Sequence, residues 1–240
     1  MLNPGTAILF GVGSGLGTAL SRRFAEAGHA VAMVARDVEK LAPLAGEIME
    51  GGGAVRVYAA DAAQDDAVTR TFERAEAELG PVDVVVYNVG IRVHGPIMEQ
   101  DTGEFEAVWR DSCLGGMIVG REAARRMVPR GQGSILFTGG RTSRSAGAGQ
   151  AAFAVGKFGL RALAQSMARE LAPQGIHVAH FIIEGGIDNE QSRKWSPEKV
   201  SLEDGLISTD ALAELYLQTH RQPRNCWTFE VDLRPWHEPF

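Results

Sequence analysis

The feature that most constrains the fold is an apolar run joined by a glycine-rich turn to an amphipathic stretch. Ala7–Phe10 carries only apolar side chains, which is typical of a buried strand. Leu16–Ala27 then repeats apolar residues at helical spacing. The turn between them contains Gly11, Gly13, Gly15 and Gly17. Glycine lets a backbone approach a pyrophosphate closely, and the N-terminus of the next helix presents free N–H groups to the anion. This order predicts a dinucleotide-phosphate site.

Length, charge and cysteine content indicate one globular domain. The chain has 240 residues and a net charge of -6, so its charge does not favour nucleic acid or anionic membranes. No apolar run approaches the roughly 20 residues that span a bilayer, and the N-terminus lacks a signal-peptide pattern, so a cytoplasmic location is expected. Cys113 and Cys226 lack metal-ligand spacing, which favours reduced thiols and no metal site.

Strands and helices are predicted to alternate along the chain. The expected strands are Ala7–Phe10, Val31–Ala35, Ala54–Ala59, Asp83–Tyr87, Ser134–Thr138, Ile176–Ile183 and Trp227–Leu233. The expected helices are Leu16–Ala27, Val38–Glu50, Asp65–Leu79, Gly103–Met127, Gln150–Ala172 and Asp210–His220. Strands this rich in Val, Ile and Ala are expected where helices cover both sheet faces. The prediction is therefore an α/β fold, a doubly wound parallel sheet of about seven strands in a single domain, 1–240, with ligands at the carboxyl ends of the strands.

Short motifs follow several of these strands. Asp61 comes after the third strand, Tyr87–Gly90 closes the fourth, and Glu184–Asp188 follows the sixth. Together with Phe10–Gly17, these motifs make the chain resemble the short-chain dehydrogenase/reductase family over nearly its whole length. The resemblance implies a Rossmann-type nucleotide-binding domain and an oxidoreductase.

The resemblance also implies a set of cofactor-binding positions. These are Gly11, Gly13, Ser14, Gly15, Leu16, Gly17, Arg36, Asp61, Ala62, Asn88, Val89, Gly90, Lys157, Gly185 and Ile187. The segment 189–208 carries no readable motif and is the expected substrate-capping segment.

The end of the second strand selects the dinucleotide. An acidic residue there would bind the adenosine ribose hydroxyls and favour NAD, but Ala35 stands in that place and Arg36 follows it. A guanidinium pairs well with a 2′-phosphate, so NADP(H) is favoured over NAD(H). Arg36 as a solvated loop charge is the alternative, and the neighbouring Asp37 weakens the signal.

The catalytic residues depart from the pattern of the family. Its Tyr-x-x-x-Lys pair places a phenol and an ammonium on one helical face, but here Phe153 precedes Lys157. Gly140 stands where the family has a catalytic Ser, and Ser112 where it has an Asn. Shifting the alignment with the family by one residue would bring Thr138 or Thr142 near the position of the serine, but no shift recovers a tyrosine. Because a benzene ring donates no proton, loss of this acid predicts a reductase activity weakened by about 10²–10⁴-fold unless another group substitutes.

Several residues are candidates for the missing acid or for substrate binding. His94 lies on a loop expected to face the nicotinamide and would titrate near neutral pH, or it is simply an exposed loop residue. With Lys157 and Ser112 it forms the predicted catalytic set. Tyr87 is expected to pack at its strand end, and Glu184 is a possible base or a solvated turn residue. Three cationic residues either form an anion-binding site or are plain surface charge. They are Arg92, Arg141 and Arg144.

Three functions remain open from the sequence. The first is an NADP(H)-dependent oxidoreductase that acts on a small carbonyl or alcohol with a non-standard proton donor. The second is a nucleotide-binding but redox-inactive partner or sensor, and the third is an isomerase or lyase on the same fold. Trp109 and Trp195 are expected in the core or in a lid. A homodimer or homotetramer is expected, with C-terminal packing at the subunit contact by Trp227, Trp236 and Phe240.

Overall fold

A computed structural model describes residues 4–238 and shows one seven-stranded sheet in which every strand pair is parallel. The strand order is β3-β2-β1-β4-β5-β6-β7. The strands are β1 (Thr6–Phe10), β2 (Ala30–Ala35), β3 (Val55–Ala59), β4 (Val82–Tyr87), β5 (Ser134–Thr138), β6 (His177–Ile183) and β7 (Glu230–Leu233). The predicted α/β doubly wound sheet is confirmed. Only the last strand is clearly shorter than predicted, beginning at Glu230 rather than Trp227.

Helices cover both faces of the sheet. They are α1 (Leu16–Glu26), α2 (Ala42–Glu50), α3 (Asp65–Leu79), α4 (Thr102–Trp109), α5 (Gly115–Met127), α6 (Ala151–Leu171), α7 (Glu190–Trp195), α8 (Pro197–Val200) and α9 (Thr209–His220). The second predicted helix begins later than expected, because Glu39–Leu41 forms a separate 3₁₀ turn. No helix within residues 4–238 is both long and apolar enough to cross a membrane.

The predicted single helix over Gly103–Met127 is wrong in one respect. The segment Arg110–Leu114 is a π-helical turn that separates α4 from α5. The turn inserts an extra residue into the hydrogen-bond ladder, and such insertions often lie at functional sites. Here the turn contains Asp111 and Ser112, both buried, and Asp111 lines the first of the clefts described below.

Strand register brings the loops of the site together. Phe10 pairs with Val34 on one side and with Tyr87 on the other, and Tyr87 pairs in turn with Phe137. The residues that follow these strand ends therefore meet at one edge of the sheet, where open α/β sheets bind ligands. Two apolar clusters hold the helices on the sheet. The cluster that includes Leu9 packs α1 and α9 on one face, and the cluster that includes Phe10 packs α3, α5 and α6 on the other.

Candidate functional site

The glycine turn forms the floor of a cleft of about 510 Å³ at the carboxyl edge of the sheet. Gly11 has φ +80°, and a Cβ there would lie 2.6 Å from the Asn88 carbonyl oxygen, so only glycine fits. A Cβ on Gly17 would lie 2.8 Å from Val12 Cα, so the absence of a side chain lets the first turn of α1 pack closely against the glycine turn. Gly13, in contrast, would place a Cβ in open space within the cleft. The turn is therefore tightly packed at Gly11 and Gly17 and open to the cleft at Gly13, as a phosphate-binding turn requires.

The cleft brings together most of the predicted cofactor-binding residues. Those that line it are Gly11, Gly13, Ser14, Arg36, Asp61, Ala62, Asn88, Val89 and Gly90. Three predicted residues do not line the cleft: Gly15, Leu16 and Gly17. Gly15, with φ +112°, is the N-cap residue directly before α1. Two polar contacts fix the walls: Asn88 Nδ2 donates to the Gly11 carbonyl at 3.2 Å, and Asp61 Oδ1 accepts from the Ala63 N–H at 2.9 Å.

Two cations line the cleft close to the end of β2. Arg36 is largely exposed, and its Nη1 lies 3.3 Å from Oδ2 of Asp111 across the opening. Lys40 also lines the cleft and pairs with Asp37 at 2.9 Å. Lys40 was not among the predicted cofactor-binding residues, although a cation so soon after Ala35 at the end of β2 was a usable signal. Burial raises the pKa of Asp111, which the Arg36 guanidinium partly opposes.

Lys157 lies against Gly90 of the cleft lining but does not line the cleft itself, and only 4% of its surface is exposed. Its ammonium donates to the Thr138 carbonyl at 2.8 Å and to the Val89 carbonyl at 3.3 Å. Gly90 makes room for it, since a Cβ there would lie 3.1 Å from Nζ. Burial lowers the pKa of Lys157 to about 8, because no carboxylate compensates for the lost water.

Phe153 and Gly140, one of the glycines after β5, are the residues predicted to replace the family's acid and its serine. Phe153 and Gly140 both line a second cleft of about 480 Å³, which adjoins the first at Gly90. A Cβ on Gly140 would meet the Ile183 carbonyl oxygen at 3.5 Å, an ordinary contact, so this position has room for a side chain. A Cβ on Gly139 would lie 2.3 Å from His180 Nε2 and has none.

None of the three tyrosines of the chain lines either cleft, and each hydroxyl is hydrogen-bonded to another protein group. Tyr87 is buried and its hydroxyl donates to the Asp111 carbonyl; burial raises its pKa well above the usual value. The Tyr216 hydroxyl shares a hydrogen bond with Thr138 Oγ1 at 2.8 Å, and the Tyr58 hydroxyl donates to Glu78 at 3.3 Å. No tyrosine therefore moves into the place of the missing acid.

The other two predicted catalytic residues, Ser112 and His94, lie in different surroundings. Ser112 is fully buried, and its Oγ has no hydrogen-bond partner within residues 4–238. It lies against Gly156, directly before Lys157, where a Cβ would be 3.1 Å from that oxygen. His94 is exposed, packs on Gly149 and lines neither cleft. Its catalytic role stays a prediction without support from this placement.

The predicted arginine cluster does not form as a unit. Arg92 and Arg141 line the second cleft, but Arg144 instead pairs with Glu184 and Asp232, each at 2.5 Å. Glu184 is buried and is also paired with Arg234 at 2.9 Å. The expectation of Glu184 as a solvated turn residue is therefore corrected, because two guanidinium groups hold the buried carboxylate in an ion-pair network; its role as a base stays a prediction.

The segment 189–208 contributes one wall of the second cleft. It contains α7 and α8, and Asn189, Ser192, Trp195 and Lys199 line the cleft together with the predicted Gly185 and Ile187. Trp195 is half exposed and carries the Arg92 guanidinium 5.2 Å from its ring centroid, a cation–π contact. The placement is the one expected of a cap, and the capping role stays a prediction.

The remaining aromatic residues differ in their contacts and in their exposure to solvent. Trp227 stacks on His177 with ring centroids 4.9 Å apart, whereas Trp236 is 81% exposed. Trp109 is partly exposed, so it is not a core residue. Phe240 lies outside the described residues. An oligomeric contact at this end of the chain stays a prediction.

Comparisons with known proteins agree with this geometry. A family model described as short chain dehydrogenase matches residues 5–199. A 3-oxoacyl-acyl-carrier-protein reductase of Mus musculus is 30% identical over 190 residues, which cover 79% of this chain and 78% of that protein. A crystal structure of a short-chain dehydrogenase from Rhodopseudomonas palustris is 41% identical, with a TM-score of 0.84 and coverage of 97% of this chain and 99% of that chain. A metagenomic short-chain oxidoreductase in complex with NADP is 26% identical, with a TM-score of 0.83 and coverage of 96% and 97%.

Proposed function

Because this chain belongs to the short-chain dehydrogenase family, we propose that it is an oxidoreductase that uses NADP(H) on a small carbonyl or alcohol substrate. The observation that carries the proposal is the continuity of the two clefts at Gly90, directly beside the Lys157 ammonium. A nucleotide bound along the first cleft would extend its reactive end to this junction. The second cleft would hold the substrate.

Arg36 and Lys40 support NADP(H) rather than NAD(H). Both line the first cleft close to the end of β2, where the adenosine of a bound nucleotide would lie. The last residue of β2 is Ala35 and not the acidic residue that favours NAD(H). Guanidinium and ammonium groups would bind a 2′-phosphate through charge-assisted hydrogen bonds. The metagenomic relative in complex with NADP is consistent with this choice.

The chemistry divides between the nucleotide and the chain. A bound nicotinamide supplies or accepts a hydride. Lys157 would hold a ribose hydroxyl with the one N–H that its bonds to Thr138 and Val89 leave unused. Because all three N–H groups are then engaged and Phe153 cannot donate, the proton for the substrate oxygen would come from water in the space that Gly140 leaves open, and the hydroxide formed would be lost to bulk solvent.

Fluorescence titration with NADPH and NADH, followed by turnover on a panel of aldehydes and ketones, tests the proposal. We expect NADPH to bind more tightly than NADH and to be oxidised slowly by some members of the panel. Lys157→Met should abolish this turnover. Absence of binding by both nucleotides at millimolar concentration would refute the proposal.

A second function, nucleotide binding without turnover, is favoured by one observation. No tyrosine hydroxyl within residues 4–238 lies in either cleft, so the usual acid is missing and not relocated. The same experiment separates the two functions, because a redox-inactive sensor or partner would bind NADPH and oxidise none with any substrate.

A further inference from the structure

Three metal-ligating side chains meet at the sheet edge opposite the clefts. His29 directly precedes β2, Asp83 is the second residue of β4, and His220 is the last residue of α9. One candidate ligand atom from each lies within 4.8 Å of the other two. Since β1 separates β2 from β4, and α9 packs on α1, the fold brings together residues that are far apart in the sequence.

A contact from one ring nitrogen to a protein oxygen holds each imidazole in place. His29 Nδ1 lies 3.0 Å from the Gly5 carbonyl oxygen, which can only accept, so Nδ1 carries the proton and Nε2 keeps its lone pair. His220 Nδ1 lies 2.9 Å from Ser134 Oγ, and its Nε2 faces Asp83 Oδ2 at 3.5 Å. A second ring nitrogen held by a protein oxygen is the usual arrangement around a metal-bound histidine.

Packing fixes the two rings and leaves one side of the cluster accessible. His29 is 3% exposed, and its ring meets the His220 ring edge to face at a centroid distance of 5.3 Å. The ring of Phe24 packs against both imidazoles. The Asp83 side chain is 25% exposed, so water can complete a coordination shell on that side. The carboxyl end of α9 also carries the negative end of the helix dipole, which favours a cation.

We propose that His29, Asp83 and His220 bind one divalent transition-metal ion, with water in the remaining positions. Two imidazole nitrogens and one carboxylate oxygen are a donor set suited to Zn²⁺. Zn–ligand distances of about 2.0–2.2 Å place neighbouring ligands about 3.4 Å apart in a tetrahedral site. The separation of His220 Nε2 and Asp83 Oδ2 is already 3.5 Å, and no two of the three ligand atoms are more than 4.8 Å apart, so binding requires the partly exposed Asp83 carboxylate to turn toward the fixed His29 ring.

Two guanidinium groups near the cluster limit its affinity. Arg130 donates to the Val82 carbonyl, and Arg221 Nη2 lies 3.5 Å from the Ala27 carbonyl oxygen. Both act electrostatically on the cluster, Arg130 on Asp83 and Arg221 on His29. Their positive charge opposes a cation, so we expect micromolar binding. Because the site lies at the edge away from the clefts, its role is to tie the end of α9 to the sheet.

The test is a Zn²⁺ titration by calorimetry on the full chain, freed of any affinity tag and treated with a chelator. We expect one ion per chain and a higher Tm with Zn²⁺. Asp83→Asn and His220→Gln should each weaken binding at least tenfold, since loss of even an outer-shell partner costs about 10–100-fold. The matched controls His94→Gln and Cys226→Ser, both at exposed positions, should leave the affinity unchanged.

Circular dichroism and NADPH titration show whether each variant folds. If the ligand variants unfold, X-ray absorption on the Zn²⁺-loaded wild-type chain decides, with scattering from two imidazoles expected. The proposal is overturned if the wild-type chain binds no stoichiometric Zn²⁺ at submillimolar concentration. It is equally overturned if the ion shows no imidazole ligands, or if both folded ligand variants bind as tightly as the wild type.

Discussion

The Phe153 ring centroid lies 5.9 Å from the ammonium nitrogen of Lys157, on the same face of α6. The spacing that gives the family its phenol–ammonium pair is thus kept, while the phenol oxygen is absent. The ring also lines the second cleft. Restoring the oxygen therefore requires no movement of the helix.

The double variant Phe153→Tyr, Gly140→Ser should gain carbonyl reductase activity. The Tyr hydroxyl would supply the missing acid, and the open space at Gly140 accepts the serine side chain. Because a positioned general acid contributes about 10²–10⁴-fold, NADPH oxidation with a carbonyl panel should rise by a factor in that range.

The matched control is Phe158→Tyr, Gly140→Ser. Phe158 lies on the same helix, is 41% exposed and lines neither cleft. Its hydroxyl would reach water only, so this variant should keep the parent rate. An equal rate for the two double variants would show that the second cleft does not hold the substrate.

Arg36→Ala should weaken NADPH binding and leave NADH binding nearly unchanged. The arginine is exposed, so the loss should be moderate, about five- to tenfold in Kd. Arg56→Ala removes an equally exposed arginine from β3, where it pairs with Glu78 at 3.5 Å, and should change neither affinity. Fluorescence titration with both nucleotides measures the effect. Equal losses for NADPH and NADH would rule out a 2′-phosphate contact.

Lys157 should make stability depend on pH in the alkaline range. Burial lowers its pKa from 10.5 to about 8, so between these values the unfolded chain holds a proton that the folded chain has released. The free energy of unfolding therefore rises with pH in this interval, by roughly 3 kcal/mol in total. Lys157→Met lacks this contribution, and other titrating groups cancel in the comparison. Urea unfolding of both proteins from pH 7 to pH 10 measures it; parallel curves would contradict the prediction.

Glu184→Gln should destabilise the fold without removing nucleotide binding. The carboxylate is buried between Arg144 and Arg234, and breaking such a network costs about 3 kcal/mol. Asp232→Asn touches the same two arginines from a position with 35% of the side chain exposed and should cost about 1 kcal/mol or less. Urea unfolding and NADPH titration test this pair. An unchanged stability with complete loss of turnover would instead indicate a catalytic base.

Gly13→Ala and Gly17→Ala should separate binding from folding. A Cβ at Gly13 meets no atom within 4 Å and would project into the cleft, so nucleotide affinity should fall while Tm stays unchanged. A Cβ at Gly17 would lie 2.8 Å from Val12 Cα, so overpacking should cost about 1–3 kcal/mol of stability. Thermal unfolding with and without NADPH measures both. A stable Gly17 variant would show that α1 can move away from β1.

Local sequence patterns determined the parts of the site that single segments build. The apolar strand, glycine turn and helix around Gly11 depend on backbone conformation and periodicity, which neighbouring residues fix. The order of strands then places Asp61 and Asn88 at the carboxyl edge, and the structure puts both in the cleft. The replacement at Phe153 was also readable, because helical spacing from Lys157 identifies the position.

Tertiary packing alone decided which charged and polar groups meet. The ion pairs that occupy Arg144 and Glu184, the π-helical turn that buries Ser112, and the meeting of His29 with His220 all join separate segments. No local pattern encodes such contacts, since they depend on the strand order and on how each helix lies across the sheet. The sequence by itself therefore determined the family, the fold and the glycine turn that lines the first cleft. Only the three-dimensional packing decided which side chains are paired and which remain available to a ligand.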